Sequence, residues 1–130
     1  MTVGRLDSKG NLVYMGAIQR ADKEAWFKAS CPAGRYFCSV YTPWSSFVNE
    51  ITLATYGPQL INLQSVAESS MPKDYYQNLV KDKALKDETG WKDYSGQSQP
   101  KIRYKFEHGG DGFGFFFFEN NSDSTEFNCT

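Results

Sequence analysis

The residues that could carry covalent chemistry are few: one histidine, His108, and three cysteines, Cys31, Cys38 and Cys129. A cysteine nucleophile acts as a thiolate, which needs a histidine or another base beside the thiol. His108 precedes a glycine-rich turn signal, and the cysteines lack Cys-x-x-Cys spacing. We therefore expect no catalytic dyad, no structural zinc and no disulfide scaffold, and we predict that the chain is not an enzyme.

Acidic side chains gather late in the chain, because residues 107–126 contain five carboxylates and no Lys or Arg. Carboxylate oxygens are the ligands that calcium prefers. The candidate metal ligands are Asp111, Glu119, Asp123 and Glu126. No loop has a dense Asp-x-Asp spacing, so the alternative is a solvated acidic rim. Calcium is thus one hypothesis, and no other cofactor is expected.

Three alternating glycines, Gly110, Gly112 and Gly114, suggest a phosphate-binding loop. Such loops bind anions through the N-terminus of the helix that follows them. A strand is predicted to follow here, so these glycines are better interpreted as turn residues.

Four consecutive phenylalanines follow these glycines: Phe115, Phe116, Phe117 and Phe118. A strand without a polar face is stable when it is covered on both sides or when it meets a partner surface. Residues 101–107 alternate between apolar and charged types, which predicts a strand and a β-hairpin turning at residues 108–112. We expect the phenylalanine run at the centre of a sheet. Together with Trp44 it is the predicted partner-binding site, although core packing of Trp44 is as consistent with its position.

Short apolar runs predict further strands at residues 11–18, 24–29, 35–41, 49–56 and 60–63. A helical stripe with Pro72 in its first turn predicts one amphipathic helix from about residue 72 to 86. The predicted fold is mainly β: an antiparallel β-sandwich, jelly-roll or C2-like, with that helix in a linker between two sets of strands. Residues 1–66 form the first set, 67–100 the helix and linker, and 101–130 the second set. The predicted core joins Tyr36, Val40, Ile51 and Leu53 to Ile102, Tyr104, Phe106 and the phenylalanine run.

Charge and composition exclude several classes of protein. The 130 residues hold 14 Lys and Arg against 15 Asp and Glu, so no electrostatic argument favours binding to nucleic acid. No apolar stretch has the length needed to cross a bilayer, and the first residues have no signal-peptide core. We expect one compact cytoplasmic domain.

Residues 33–44 read Ala-Gly-Arg-Tyr-Phe-Cys-Ser-Val-Tyr-Thr-Pro-Trp, and residues 50–57 read Glu-Ile-Thr-Leu-Ala-Thr-Tyr-Gly. This pattern resembles the calpain-type β-sandwich, also described as C2-like or domain III-like. In that family a Pro-Gly-x-Tyr strand, a Thr-Pro type loop and an acidic-x-x-Leu strand ending near a tyrosine follow one another. Residues 72–76, 112–115 and 119–122 are similar to helix, linker and strand segments in non-catalytic regions of calpain-related proteins of single-celled eukaryotes.

The resemblance implies a module without the protease, because neither Cys31 nor Cys38 lies in anything like the family's protease motif. In the family, strands like 35–56 close a sandwich and a segment like 101–130 opens one. Either the two halves form a permuted sandwich, or the chain is a fragment whose edges pair with a partner chain.

The resemblance implies an interaction or scaffolding subunit of a larger assembly, cytoskeletal or ciliary in character. One alternative is a calcium- or lipid-responsive regulatory sandwich, and a minor one is a carbohydrate-binding jelly roll. The sequence does not identify the partner protein, and it leaves open whether the chain forms homo-oligomers.

Overall fold

The computed structural model of the protein describes residues 1–20, 24–42, 50–94 and 102–123. Six strands, one α-helix and a short 3-10 helix at Glu68–Ser70 occur in these ranges. In chain order the elements are β1 (Thr2–Leu6), β2 (Leu12–Ala17), β3 (Tyr36–Ser39), α1 (Tyr75–Lys86), β4 (Trp91–Asp93), β5 (Ile102–Glu107) and β6 (Phe115–Asn120).

The first sheet has the strand order β2-β1-β3, and both of its strand pairs are antiparallel. A tight turn joins β1 to β2, where the Asp7 carboxylate accepts hydrogen bonds from the backbone N–H groups of Lys9 and Asn11, each at 2.8 Å. Asp and Asn favour such turns because their short side chains can bind nearby backbone groups. The turn therefore sets the register of this hairpin.

Helix α1 packs on the first sheet and forms the core with it. Leu79 of the helix is 0% exposed and lies with Tyr75 against Leu12 and Phe37. Gly4 of β1 is buried here, and a β-carbon at this position would lie 2.9 Å from Leu79 Cδ2. Glycine at position 4 therefore permits the close approach of helix and sheet.

The second sheet has the order β4-β5-β6, again antiparallel. The predicted hairpin is confirmed: β5 and β6 pair along their whole length, from Ile102 opposite Asn120 to Glu107 opposite Phe115. In the connecting turn, Gly112 has a φ of 81° and its N–H donates to the carbonyl of Gly109. Glycine adopts this left-handed conformation without steric cost, as expected of a turn residue.

Lys83 of α1 connects the helix to this hairpin. Its ammonium lies 2.9 Å from the Glu107 carboxylate and 3.5 Å from that of Asp111, and its side chain is 16% exposed. The rings of Tyr14, Phe113 and Phe115 surround the same ammonium at 5.0–5.8 Å. One lysine thus joins α1, the first sheet and the hairpin through charge and cation–π contacts.

The predicted helix is confirmed at its end but begins later than expected. It starts at Tyr75 because Asp74 has a φ of 53°, a left-handed conformation that a helix cannot continue through. Ser69 and Ser70, which precede it, lie in the 3-10 helix. The described part of the chain contains no helix long and apolar enough to span a membrane.

Three of the predicted strands are wrong. Residues 24–29, 50–56 and 60–63 contain no strand, although their apolar patterns favour one; position 49 lies outside the described residues. A strand needs a neighbour to satisfy its backbone groups, and no described strand pairs with these segments. In the first of them, Phe27 instead packs over Gly16 of β2.

The expected central position of the phenylalanine run and its shared core are also wrong. Within the described residues β6 pairs only with β5, which puts it at the edge of the described sheet rather than at its centre. Val40, Ile51, Leu53 and Phe106 are exposed rather than buried together. The cause lies in the second sheet: its charged face, not its aromatic face, is turned toward α1.

Candidate interaction surfaces

The outer face of the second sheet is a continuous aromatic surface. Four rings of β5 and β6 form it, which we call the aromatic face: Tyr104, Phe106, Phe116 and Phe118. Phe106 and Phe116, a directly opposed pair, have ring centroids 4.7 Å apart, and Phe116 and Phe118 stack at 6.0 Å. Phe106 and Phe116 nevertheless remain 56% and 60% exposed. Contiguous apolar patches of a few hundred Å² on a protein surface often mark interaction sites.

The opposite face of the same sheet explains why the rings point outward. Arg103, Lys105 and Glu107 alternate with the β5 rings and turn toward α1 and the residues that follow it. Lys105 is 3% exposed, and its ammonium donates to the Asp87 carbonyl at 3.0 Å. A strand's side chains alternate between faces, so anchoring these charges inward forces the aromatic residues outward.

Arg103 anchors the far end of this face. Its guanidinium bonds the carboxylates of Glu119 and Glu88 and lies 4.1 Å from the Trp91 ring centroid. The hydrogen bond from Arg103 lowers the pKa of Glu119 below its ordinary value, since it stabilises the carboxylate. The orientation of the aromatic face is thus fixed by ionic contacts on the other side.

The predicted partner-binding residues fall on both faces. Phe116 and Phe118 belong to the aromatic face, whereas Phe115 is buried beneath the Lys83 ammonium. Phe117 is half-buried, with its ring centroid 6.0 Å from that of Trp91. Trp44 lies outside the described residues. Strand alternation could have divided the run into two pairs, but the sequence does not show which pair turns outward.

A second apolar surface lies in residues 50–67, every one of which is exposed. Seven large apolar side chains are exposed there: Ile51, Leu53, Tyr56, Leu60, Ile61, Leu63 and Val66. Apart from the contact of Tyr56 with Trp26 at 5.9 Å, none of the ring contacts between described residues involves this segment. The segment has the sequence pattern of a strand, yet none of the described strands pairs with it.

The predicted metal ligands are separated by their own contacts. Asp111 accepts a hydrogen bond from the Tyr14 hydroxyl at 2.7 Å and faces Lys83, whereas Glu119 pairs with Arg103. Asp123 is exposed, and Glu126 lies outside the described residues. The described residues contain no group of three or more His, Cys, Asp or Glu side chains that could hold a metal ion. The calcium hypothesis stays a prediction.

The contact between Tyr14 and Asp111 was not anticipated from the sequence. Burial and then the hydrogen bond to Asp111 raise the pKa of Tyr14, which keeps its hydroxyl protonated as a donor. Burial alone would favour the protonated acid at Asp111. The N–H of Phe113, the Tyr14 hydroxyl and Lys83 outweigh burial and lower the pKa of Asp111. No signal in the sequence links two residues 97 positions apart.

The potential catalytic residues stand in unremarkable surroundings. His108 is exposed in the turn after β5, and Cys31 and Cys38 are free thiols. Partial desolvation of its sulfur raises the pKa of the Cys38 thiol, which disfavours the nucleophilic thiolate. Tyr41, which precedes the predicted contact residue Trp44 in the chain, is exposed.

Comparisons of the chain with protein-family models, curated proteins and solved structures found no match.

Proposed function

We propose that this chain is a non-catalytic protein-interaction module that serves as a scaffolding subunit of a larger assembly. The observation that carries the proposal is the aromatic face, where three rings are exposed although each is part of a paired strand. A partner protein with a complementary apolar surface would cover this face. The described rings carry no charge, so the contact would depend on shape and burial rather than on ion pairing.

The energy of such a contact can be bounded by the buried area, and the bound argues for more than one contact surface. Covering the exposed parts of Phe106, Phe116 and Phe118 would remove roughly 300 Å² from water, since an aromatic side chain presents about 200 Å². At about 25 cal/mol per Å² this stabilises a complex by about 8 kcal/mol. Association itself costs at least about 4 kcal/mol. The aromatic face alone therefore supports only a weak complex.

Residues 50–67 supply the additional surface in this proposal. Their seven exposed apolar side chains and strand-like pattern suit pairing with a sheet edge of the partner. Adding a strand to a neighbour's sheet would satisfy the backbone groups of this segment. It would also explain why the sequence favours strands where the free chain has none.

The proposal includes the type of fold, a calpain-type β-sandwich. The structure has two three-stranded antiparallel sheets, and α1 lies between them in the chain. This arrangement is compatible with a calpain-type, C2-like β-sandwich whose second layer a partner completes. A place in a cytoskeletal or ciliary assembly follows from that resemblance alone. The absence of catalysis is supported by the surroundings of His108 and Cys38.

The test compares two substitutions within the phenylalanine run. Phe116→Ser removes an exposed ring of the aromatic face, so we expect the free chain to keep its thermal stability within a few degrees and to lose its partner. Phe117→Ser removes a half-buried ring that packs on Trp91 from the other face, so we expect it to lower the melting temperature clearly. Melting is measured by circular dichroism, and partner recovery by purifying the tagged chain from its native cells.

Three results would contradict the proposal. One is a wild-type chain that is a soluble monomer with no co-purifying partner. The second is equal destabilisation by both substitutions, which would mean that the aromatic face is ordinary core. The third is a Phe116→Ser chain that still recovers the partner, which would exclude the aromatic face as the contact.

A further inference from the structure

A cleft of about 740 Å³ opens between α1, the β1–β2 turn and the start of β3. All of its lining residues belong to the described part of the chain. None of them belongs to the aromatic face or to residues 50–67, so the cleft is distinct from the proposed interaction surfaces. Its volume is in the range of small-molecule sites.

The floor of the cleft is apolar. Leu12 and Phe37 of the core form its base, and the half-buried side chains of Leu6, Met71 and Leu85 continue it. An apolar floor that stays open to solvent favours a ligand with an apolar part, because the ligand would remove this surface from water.

The rim of the cleft is basic. Four cationic side chains line it, Arg35, Lys73, Lys81 and Lys86, against a single carboxylate, Asp82. The Arg35 guanidinium lies 5.3 Å from the Phe37 ring centroid, which holds one positive charge directly beside the apolar floor.

Contacts within the protein neutralise only part of this charge. Asp82 is engaged by Lys86 at 2.7 Å and by the backbone N–H of Tyr14, also at 2.7 Å. Arg35, Lys73 and Lys81 have no carboxylate oxygen within 4.0 Å among the residues that the structure describes. Among the described residues, these three cations therefore line the cleft without a direct ion pair, although the Lys81 ammonium also acts at longer range on the Glu119 carboxylate.

We propose that this cleft binds a small amphiphilic anion: a carboxylate or phosphate head joined to an apolar group such as a short acyl chain. The head would lie among Arg35, Lys73 and Lys81, and the apolar group would lie on Leu6, Met71 and Leu85. Arginine and lysine suit both heads, because arginine can donate two parallel hydrogen bonds and lysine supplies a compact charge. The two parts of the ligand match the two parts of the cleft.

Binding can be measured by following backbone amide shifts in nuclear magnetic resonance spectra during titration with octanoate and, separately, octyl phosphate. We expect saturable shifts at Gly10, Asn11 and Asn78, which line the cleft. Inorganic phosphate tests the head alone, octanol the apolar group alone, and octyltrimethylammonium the sign of the charge. Each of these three probes should bind at least about tenfold more weakly than the better amphiphilic anion.

Charge reversal locates the head group. The double variant Arg35→Glu/Lys81→Glu is expected to weaken anion binding at least about tenfold. The matched control Lys92→Glu changes an exposed lysine of β4, outside the cleft, and should leave the affinity unchanged. Far-ultraviolet circular dichroism verifies that each variant is folded.

Three results would overturn the proposal: no saturable shift with either anion, equal binding of octanol, or equal weakening by Lys92→Glu. If the double variant fails to fold, the single variants Arg35→Glu and Lys81→Glu are each compared with Lys92→Glu. Since both positions are exposed, each single change should preserve the fold.

Discussion

At the scale of single residues, Lys83 is held by charged and aromatic groups together. It meets two carboxylates and three aromatic rings while little of its side chain is exposed. Lys83→Met keeps most of the apolar stem but removes the charge, leaving Glu107 and Asp111 without their cation. We expect the free energy of unfolding, measured with urea, to fall by about 1–3 kcal/mol.

The matched control for this change is Lys92→Met on β4. Lys92 is exposed and forms no ion pair with a described residue, so its replacement should change the free energy of unfolding by less than about 0.5 kcal/mol. If Lys83→Met were as stable as this control, the contacts of the ammonium would contribute nothing net to folding.

Asp111 gives a second prediction at this scale, concerning pH. Its pKa in the folded protein lies below the ordinary value of 3.8, so the folded state favours the carboxylate. This contribution is fully present above the unfolded pKa and is lost as pH falls through the folded pKa. Asp111→Asn should therefore be less stable than wild type at pH 6, and the difference should shrink below about pH 3.8.

Urea unfolding at several pH values between 2.5 and 6 would measure this difference. Asp123→Asn serves as the control because Asp123 is exposed and forms no ion pair with a described residue. A constant gap between wild type and Asp111→Asn over the whole range would show that the carboxylate is not what stabilises the contact.

Residue types predicted the elements better than they predicted the contacts. The sequence predicts Asp111 and Glu119 as ligands of one metal site because they are close in the chain and alike in charge. In the structure each is held by a different cation, Lys83 or Arg103, because the sheet places them near opposite ends of β6. A partner that is distant in the chain leaves no local pattern.

At the scale of elements, local patterns succeeded where the element carries its own partner. The β5–β6 hairpin could be predicted because alternation and a glycine turn lie within one short segment. Helix α1, which ends at Lys86, could be predicted from the spacing of its apolar residues. β4 is too short, at three residues, to show any period, so its residues fall within the predicted linker.

Strand prediction failed where pairing is not local. Residues 50–56 have the composition of a strand, but β structure depends on a neighbour that sequence alone does not supply. The same reason explains the orientation of the second sheet. Alternation divides β5 into an aromatic and a charged set, yet only the contacts with α1 decide which set turns inward.

At the scale of the whole molecule, the buried core is small beside the apolar surface that stays exposed. Helix and first sheet enclose the core around Leu79, while the aromatic face and residues 50–67 remain in contact with water. Both exposed surfaces come from segments with strong strand patterns. We interpret this combination as a chain whose folding is completed by association, as in other modules that gain order on binding.

Limited proteolysis would test this interpretation on the intact molecule. Chymotrypsin cleaves after large apolar residues where an extended backbone is accessible, and residues 50–67 present Tyr56, Leu60 and Leu63 without regular structure. In the free chain we expect the first cuts there, before any cut at Phe37 or Leu79, which are buried.

In the purified assembly the same sites should be protected at least about tenfold, because strand addition would enclose the backbone. Mass spectrometry of the fragments gives the order of the cuts. Equal cleavage of residues 50–67 in the free and assembled states would show that this segment is not part of the contact, and the partner would then have to bind through the aromatic face alone.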